Sequence, residues 1–365
     1  MMTRFRTRRL AVDSVRFRSA CRRCAYIQEL FVDPTRKTLI FQAEVLMVGG
    51  GGGGGANSEA FLVSVLAGGG GGGGGVVSGL VDFDWDQDTA SGSEPWVYLS
   101  EIGAGGAGSD GHQVSAPYGG SPGSGTILYT YDTNLACYVG AGAGGGNSSR
   151  IGVSGVTYGG SSGGGAGGGT GSRPGGLPGL NQYKFDYNYF DNYYANAGAA
   201  NLSDGLGTFT IPGGGGGAGS GGSQGTASPI KGGDGGTSQT DFPGFPLGAG
   251  GGGGAPAGGN PGSGREAGGD GGAIDNVGKN ARANFGGGGG GSGYNSFFIT
   301  ALDGGNGGSG LIVIRYPGAP IAPSSLDKLD SPIPAGAAGI SYRSGGYTYH
   351  VFNSSNHYFD LRKLL

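Results

Sequence analysis

Potential zinc ligands are few in this chain, and one pair has a suggestive spacing. Cys21 and Cys24, in the sequence CRRC, are separated like one half of a zinc knuckle. A structural zinc site needs four ligands, and CxxC alone is a weak signal. The other cysteine and the histidines, none of which forms a second ligand pair, are Cys137, His112, His350 and His357. We therefore predict no metal at CRRC, and the cysteine usage favours a reducing compartment.

Alternating acids at positions 82, 84, 86 and 88 raise the question of a calcium loop. An EF-hand loop that begins at Asp82 requires glycine at the position of Gln87 and glutamate at the position of Ser93. The sequence fails both requirements. We interpret this stretch as a solvated acidic loop and predict no metal there either.

Runs of glycine can also cradle phosphate groups, which would make the chain an enzyme or a nucleotide-binding protein. No run is followed by the Gly-Lys-Ser/Thr of a phosphate loop, and none opens a helix that would supply the anion site. The sequence has no serine elbow, and its histidines have no convincing acid partner. The requirements for an active site are not met, so we predict no enzyme, no catalytic residue and no cofactor.

Composition points instead to an unusual architecture. Glycine supplies 94 and proline 17 of the 365 residues, a content at which low-complexity disorder is the default interpretation. The glycines come in blocks and not at every third position throughout, which excludes collagen. Disordered chains are poor in aromatic residues and rich in charge, whereas 10% of this chain is aromatic and 13% is charged. We therefore expect a folded protein.

Glycine blocks alternate with apolar runs, as in VLMVGGGGGGG (45–55) and GGNGGSGLIVIRYP (304–317). Ordering glycine costs more backbone entropy than ordering other residues, so a block orders only if its backbone groups find partners. Glycine segments in a left-handed helix of three residues per turn can bond to one another in three directions. We predict an all-β fold in which strand caps and hairpins surround a packed lattice of polyglycine II type. Gly71 is expected inside this lattice and Gly222 in a mixed loop outside it.

Charge separates a basic arm from the rest of the chain. Residues 1–23 carry one acid, Asp13, and eight arginines: Arg4, Arg6, Arg8, Arg9, Arg16, Arg18, Arg22 and Arg23. The remainder has 14 basic and 24 acidic residues, a balance of −10, so we expect no nucleic-acid binding by the body. The arm is interpreted as a docking segment, with a transit peptide and a solvated tail as alternatives.

Three units are predicted: the arm (1–38), a glycine-rich domain (39–317), and a Pro/Ala-rich linker with a C-terminal β-hairpin (318–365). The hairpin is expected to join YTYHVF (347–352) to HYFDL (357–361) through a turn at 353–356, with Tyr347, Tyr349 and Val351 on one face. An isolated hairpin is barely stable in water. We therefore expect it to add to the sheet that contains VLMV and LIVI in the same chain, and addition to the same sheet of a neighbouring subunit is the alternative.

Three stretches resemble the glycine-rich domain of bacteriophage tail-fibre and adhesin proteins, which are frequent in marine and cyanobacterial phages. They are 45–55, 304–317 and SGGYTYHVFNSS (344–355), and the layout is similar over about residues 39–361. The resemblance implies a structural virion protein whose polyglycine helices form a slab and whose variable loops contact the bacterial surface. It implies oligomeric assembly in the host cytoplasm, a location on the surface of the particle, and two kinds of partner: other virion proteins and a polysaccharide or outer-membrane receptor.

Two alternatives remain at this stage. One is a capsid fibre or another virion subunit without a receptor role, and the other is a eukaryotic glycine-rich structural protein with a transit peptide.

No apolar run approaches the ~20 residues of a membrane span. Exposed aromatic residues offer large contact area at low entropy cost, although each could instead pack on the slab. The candidate receptor-binding residues are Trp85, Trp96, Tyr187, Tyr189, Tyr193 and Tyr194.

Overall fold

Strands and glycine segments alternate along the described part of the chain, and no helix occurs in it. The structure, a computed structural model, describes residues 38–57, 67–86, 97–111, 119–130, 135–146, 192–203, 210–242, 244–296, 301–318, 340–355 and 358–360. The predicted all-β class is confirmed. The strands are β1 (Thr38–Val48), β2 (Val76–Asp86), β3 (Val97–Glu101), β4 (Thr126–Thr130), β5 (Leu135–Val139), β6 (Asn192–Tyr194), β7 (Leu202–Ser203), β8 (Thr210–Ile211), β9 (Thr226–Ala227), β10 (Ile230–Lys231), β11 (Leu311–Pro317), β12 (Ile340–Ser344), β13 (Tyr347–Phe352) and β14 (Tyr358–Asp360).

Two antiparallel sheets pack face to face and form a sandwich. The larger has the order β12-β13-β11-β1-β2-β6 and the smaller the order β14-β3-β4-β5. Because alternate strand residues point to opposite faces, Val45 and Met47 point into the core between the sheets, where they join Leu128 and Phe359 of the smaller sheet. The opposite face of the larger sheet has its own core, in which Leu46, Val48 and Val313 pack against Phe242, Phe245 and Leu247.

The strand caps predicted from VLMV and LIVI are confirmed. β1 pairs with β11 in a register that places Val45 opposite Ile314 and Val48 opposite Leu311. Both strands continue directly into glycine segments, at Gly49 and Gly310. The side-chain core therefore begins where the glycine segments end.

The predicted C-terminal hairpin is right about β13 and wrong about its partner. β13 adds to β11 within the same chain, and Tyr349 and Val351 lie on one face with Tyr347 packed beside them, as expected. Its hairpin partner is β12, not residues 357–361. β14 instead pairs with β3 in the other sheet.

The residues of the turn between β12 and β13 explain why β12 is the hairpin partner of β13. A two-residue hairpin turn of type I′ needs two residues at positive φ, and Gly345 and Gly346 have φ of 59° and 85°. Residues 353–355 do not close a hairpin, because they connect the sheets. Ser100 Oγ donates to Ser354 O (3.1 Å), and Ile102 N donates to Ser355 Oγ (2.9 Å).

The glycine segments form the predicted lattice. Successive N–H groups of segment 49–55 turn to three different neighbours and then repeat, as in a helix of three residues per turn. The donations from consecutive residues are Gly52 to Gly72 O (2.8 Å), Gly53 to Ser121 O (2.9 Å) and Gly54 to Gly305 O (2.8 Å). Its carbonyl groups accept from three further segments, through Gly106, Gly142 and Gly289. Segment 49–55 is thus surrounded by six glycine-rich neighbours, and its N–H groups and the carbonyl groups of 50–55 are paired.

Interior and outer segments of the lattice differ in sequence. The uninterrupted blocks 49–55, 68–75, 213–217, 250–254 and 286–291 are buried throughout. Segments 303–310 and 232–237 carry non-glycine residues at a spacing of three, and these residues lie on the more exposed side. One side of a three-residue helix is thereby available for side chains. This triplet pattern is visible in the sequence, as in DGGNGGSG over 303–310, and it distinguishes an outer segment from an uninterrupted interior block.

Candidate functional site

The β1–β2 pair gives the molecule two distinct poles. Thr38 lies opposite Asp86, and Val48 opposite Val76; the latter pair adjoins the glycine lattice. We call the far ends of these strands, at Thr38 and Asp86, the sandwich pole. We call the opposite end of the lattice the lattice pole; there Asn57 N donates to Leu302 O (3.0 Å), beside Gly111. The basic arm therefore joins the body at the sandwich pole.

The predicted receptor-binding aromatics do not share one surface in the described residues. Trp85 lies in β2 opposite Leu39, close to the sandwich pole. Trp96, Tyr187 and Tyr189 fall outside the described residues, as does the side chain of Trp85. The docking-arm arginines also fall outside them: Arg4, Arg6, Arg8, Arg9, Arg16, Arg18, Arg22 and Arg23.

Tyr193 and Tyr194 are packing residues at the junction of sheet and lattice. They are neighbours on edge strand β6, so their rings point to opposite faces of the sheet. The ring of Tyr193 packs on the core between the sheets, and the ring of Tyr194 packs on the second core. Burial raises the pKa of the Tyr193 hydroxyl. Burial, followed by the charge of Asp241, raises the pKa of Tyr194. The packing alternative therefore describes these two rings, although both stay partly exposed.

A serine and a histidine meet in the core, but in a setting that suits structure and not catalysis. His350 Nδ1 lies 2.8 Å from Ser341 Oγ, and His350 Nε2 lies 2.9 Å from the Tyr316 hydroxyl. The imidazole is 1% exposed, so no substrate reaches the pair. Burial lowers the pKa of His350 to about 4. The described residues also contain no group of three His, Cys, Asp or Glu side chains arranged to hold a metal ion.

We expect the buried imidazole to make the stability pH-dependent. Folding disfavours the charged form, so the contribution of His350 is fully present above its unfolded pKa of ~6.5. It is lost as the pH falls from there to about 4, and the loss amounts to about 3 kcal/mol. Urea unfolding at pH 7, 5.5 and 4.5 measures this slope. In His350→Gln the slope within this window should disappear, and an unchanged slope would assign it to other groups.

A shallow groove of about 640 Å³ runs along the lattice near its lattice pole. It is lined by glycines 108, 278 and 304 and by the polar residues Asp110, Asp303, Asn306 and Lys279, among others. Val277 stands beside them with 53% of its surface exposed. Carboxylate, carboxamide and ammonium groups on an open surface can hydrogen-bond a hydroxyl-rich ligand.

The part of the sequence that contains the glycine lattice matches a known protein family. Residues 35–317 match the family described as the glycine-rich domain, which is more than half of the chain. The chain belongs to this family. The match begins just before β1 and ends with β11, so β12 to β14, which complete both sheets of this glycine-rich domain, follow it in sequence. No curated protein and no solved structure matches the chain significantly. A search of the described residues for a helix long and apolar enough to cross a membrane found none.

Proposed function

We propose that this chain is a structural virion protein of a bacteriophage, a tail-fibre or adhesin component that contributes to attachment at the host surface. The observation that carries the proposal is the separation of the two poles by a lattice held together by its backbone. The arm joins one pole, opposite Asp86. Segments 58–66, 112–118 and 297–300 all connect described residues at the other pole.

The lattice is suited to displaying variable loops. The blocks 49–55 and 68–75 are held by backbone hydrogen bonds of 2.7–3.2 Å, which do not depend on the loop sequences. Binding residues on loops that a rigid scaffold positions are the common arrangement in recognition proteins. This arrangement suits adhesion to variable receptors, because the loops can change in sequence while the lattice keeps its structure.

The positions of the candidate receptor-binding residues relative to the two poles also distinguish between them. If the arm docks on the particle, Trp85 lies at the docking pole, because its partner Leu39 is one residue from Thr38. Trp96 directly precedes β3, which begins at the same pole. Tyr187 and Tyr189 belong to the segment that joins Gly146, at the lattice pole, to Asn192, which pairs with Ser78 of β2, and they remain candidates. The polar groove is a further candidate surface for a polysaccharide.

Replacement of loops at the two poles tests this function. We expect a Gly-Ser replacement of 58–66 or 112–118 to lower adsorption of particles to host cells about tenfold or more, the loss of one or two strong contacts. The tyrosine segment should be tested as 181–190, because residues from Asn192 onward form β6 and the lattice. Replacement of 87–96, at the other pole, is the matched control and should leave adsorption unchanged.

Mass spectrometry of purified particles must first detect the protein, and its absence from them contradicts the virion assignment. If the protein is present and all loop replacements leave adsorption unchanged, it is a structural subunit without a receptor role. Intact-mass measurement shows whether residues 1–38 are retained, as a docking arm requires, or removed, as a transit peptide would be.

A further inference from the structure

The outer face of the lattice ends in side chains that replace missing backbone partners. Asn306 Oδ1 accepts the Gly108 N–H at 2.8 Å, and Asp303 Oδ1 accepts the Gly111 N–H at 2.8 Å. Asn280 Oδ1 accepts the N–H of Asn306 at 2.8 Å. In the interior these positions are taken by carbonyl oxygens of a neighbouring glycine helix at the same distances. Each side-chain oxygen thus occupies the place of a carbonyl group that the next helix would supply.

The same substitution recurs around the rest of the lattice. The further pairs, acceptor first, are Asp270 Oδ1 with Gly264 N (3.0 Å), Asp234 Oδ1 with Ser263 N (2.7 Å), Ser223 Oγ with Asp234 N (2.8 Å), Ser220 Oγ with Thr237 N (3.0 Å) and Glu266 Oε2 with Ser238 N (3.0 Å). Several of these residues are the non-glycine members of the outer triplets. Lys231 and Arg265 hold Asp234 in place. Burial alone would raise the pKa of Asp234, but the hydrogen bonds and charges around it lower its pKa, so it stays an acceptor.

An uncapped edge of this lattice would be adhesive. Its amides point towards a missing neighbour, as the unpaired groups of an edge β-strand do, and such an edge accepts another chain. Glycine helices here take both parallel and antiparallel neighbours: segment 49–55 runs antiparallel to 69–75 and parallel to 286–292. Two uncapped faces of the same kind could therefore pair about a twofold axis.

The outward side chains also prevent close approach. A Cβ on Gly305 or Gly308, inside the lattice, would lie well under 3.0 Å from backbone atoms of neighbouring segments. A further helix could therefore not reach bonding distance over Asp303 or Asn306 while their side chains are in place. The oxygen satisfies the amide, and the carbon atoms keep the neighbour away.

We propose that these polar triplet residues terminate the lattice and close its outer face to a second copy of the chain. Contacts between subunits are then directed to other surfaces, such as the two poles. The proposal is independent of the virion assignment, because it follows from the lattice alone. It predicts that the width of the slab is set by side-chain caps and that removing them creates an interface between copies.

The double variant Asp303→Gly/Asn306→Gly tests the proposal in the full chain. We expect it to self-associate at least tenfold more tightly than the unmodified protein in sedimentation velocity across a concentration series. Asp303→Asn is the charge-matched control: it loses the same charge, keeps both caps, and should behave as the unmodified protein. Equal association of the control and the double variant, or no gain in association by the double variant, overturns the proposal.

A second variant covers the case in which the double glycine variant fails to fold. Asp303→Ala/Asn306→Ala keeps the Cβ atoms and removes only the acceptor oxygens. Amide hydrogen exchange at Gly108 and Gly111 should then become about tenfold faster, the effect of losing one hydrogen bond, while the amide of Gly106, which donates to Gly51 O, stays protected. Unchanged exchange at Gly108 and Gly111 would show that the side chains cap nothing and would also overturn the proposal.

Discussion

Gly71→Ala should destabilise the protein by about 3 kcal/mol or more, and Gly71→Val should prevent folding. A Cβ on Gly71 would lie 2.7 Å from Gly53 O and closer still to Gly52 O. These neighbours are backbone atoms of a buried helix, which cannot move aside as a flexible side chain does. At ~2–4 °C per kcal/mol for a domain of this size, we expect the alanine variant to melt about 10 °C lower, by circular dichroism or calorimetry.

The matched control for this substitution is Gly221→Ala. Gly221 lies on an exposed outer segment, and the nearest atom to an added Cβ is Ala197 O at 3.1 Å. Its melting temperature should change by only a few degrees, since surface substitutions usually stay within ~0.5 kcal/mol. Equal melting of the Gly71 and Gly221 variants would contradict a rigid lattice at Gly71.

Gly222, which the sequence places in a mixed loop, is not a suitable control. Its N–H donates to Ala197 O (3.0 Å), and an added Cβ would lie 2.7 Å from Gly215 O. The prediction that Gly222 lies outside the lattice is therefore wrong. A single residue separates an open position from a closed one, because each position of a three-residue helix faces a different neighbour.

Truncation after Pro317 is expected to abolish folding of the isolated chain. The deleted part supplies β12, β13 and β14, with buried Val351, Phe352 and Phe359. The Phe359 ring meets Phe83 across the two sheets at 5.4 Å between centroids. Loss of each of the two buried phenylalanine side chains costs about 3–5 kcal/mol, so their loss together with that of Val351 approaches or exceeds a typical stability of ~5–15 kcal/mol. Circular dichroism and limited proteolysis of the truncated chain provide the measurement.

Removal of residues 361–365 alone is the control for this truncation, and it leaves every strand in place. We expect that protein to melt like the full chain. A truncated chain that stays folded but no longer assembles would instead mean that β13 is donated to a neighbouring subunit in the native particle. That result would contradict pairing within the chain.

The strand caps and the glycine lattice were predictable because their physical causes are local. A run such as 49–55 can order only by pairing its backbone with similar runs, and VLMV and LIVI can be buried only in a sheet. The triplets of 303–310 would also have marked an outer segment, because a side chain at every third residue always falls on the same side of a three-residue helix. The hairpin partner was predictable from Gly345–Gly346, whose positive φ values suit a two-residue turn.

Other features depended on contacts that the local sequence does not encode. Tyr193 and Tyr194 belong to a tyrosine-rich stretch with the composition of a binding loop, and the pairing of β6 with β2 made them packing residues. His350 became a buried neutral imidazole because β11 and β12, which supply Tyr316 and Ser341, flank β13 on either side. Neither outcome follows from spacing along the chain.

The sequence by itself determined that glycine segments would pair with one another and that VLMV and LIVI would form strands. It was wrong about residues 82–86, which were interpreted as a solvated acidic loop and form the end of β2, because their backbone pairs with β1. Only the tertiary structure decided which segments become neighbours, which pole each loop occupies, and which amides need caps from Asp303 or Asn306. The physical reason is that a glycine helix has three equivalent sides and no side chains with which to choose a partner. The choice falls to the sheets and turns that hold each segment in place, and these act between residues far apart in the chain.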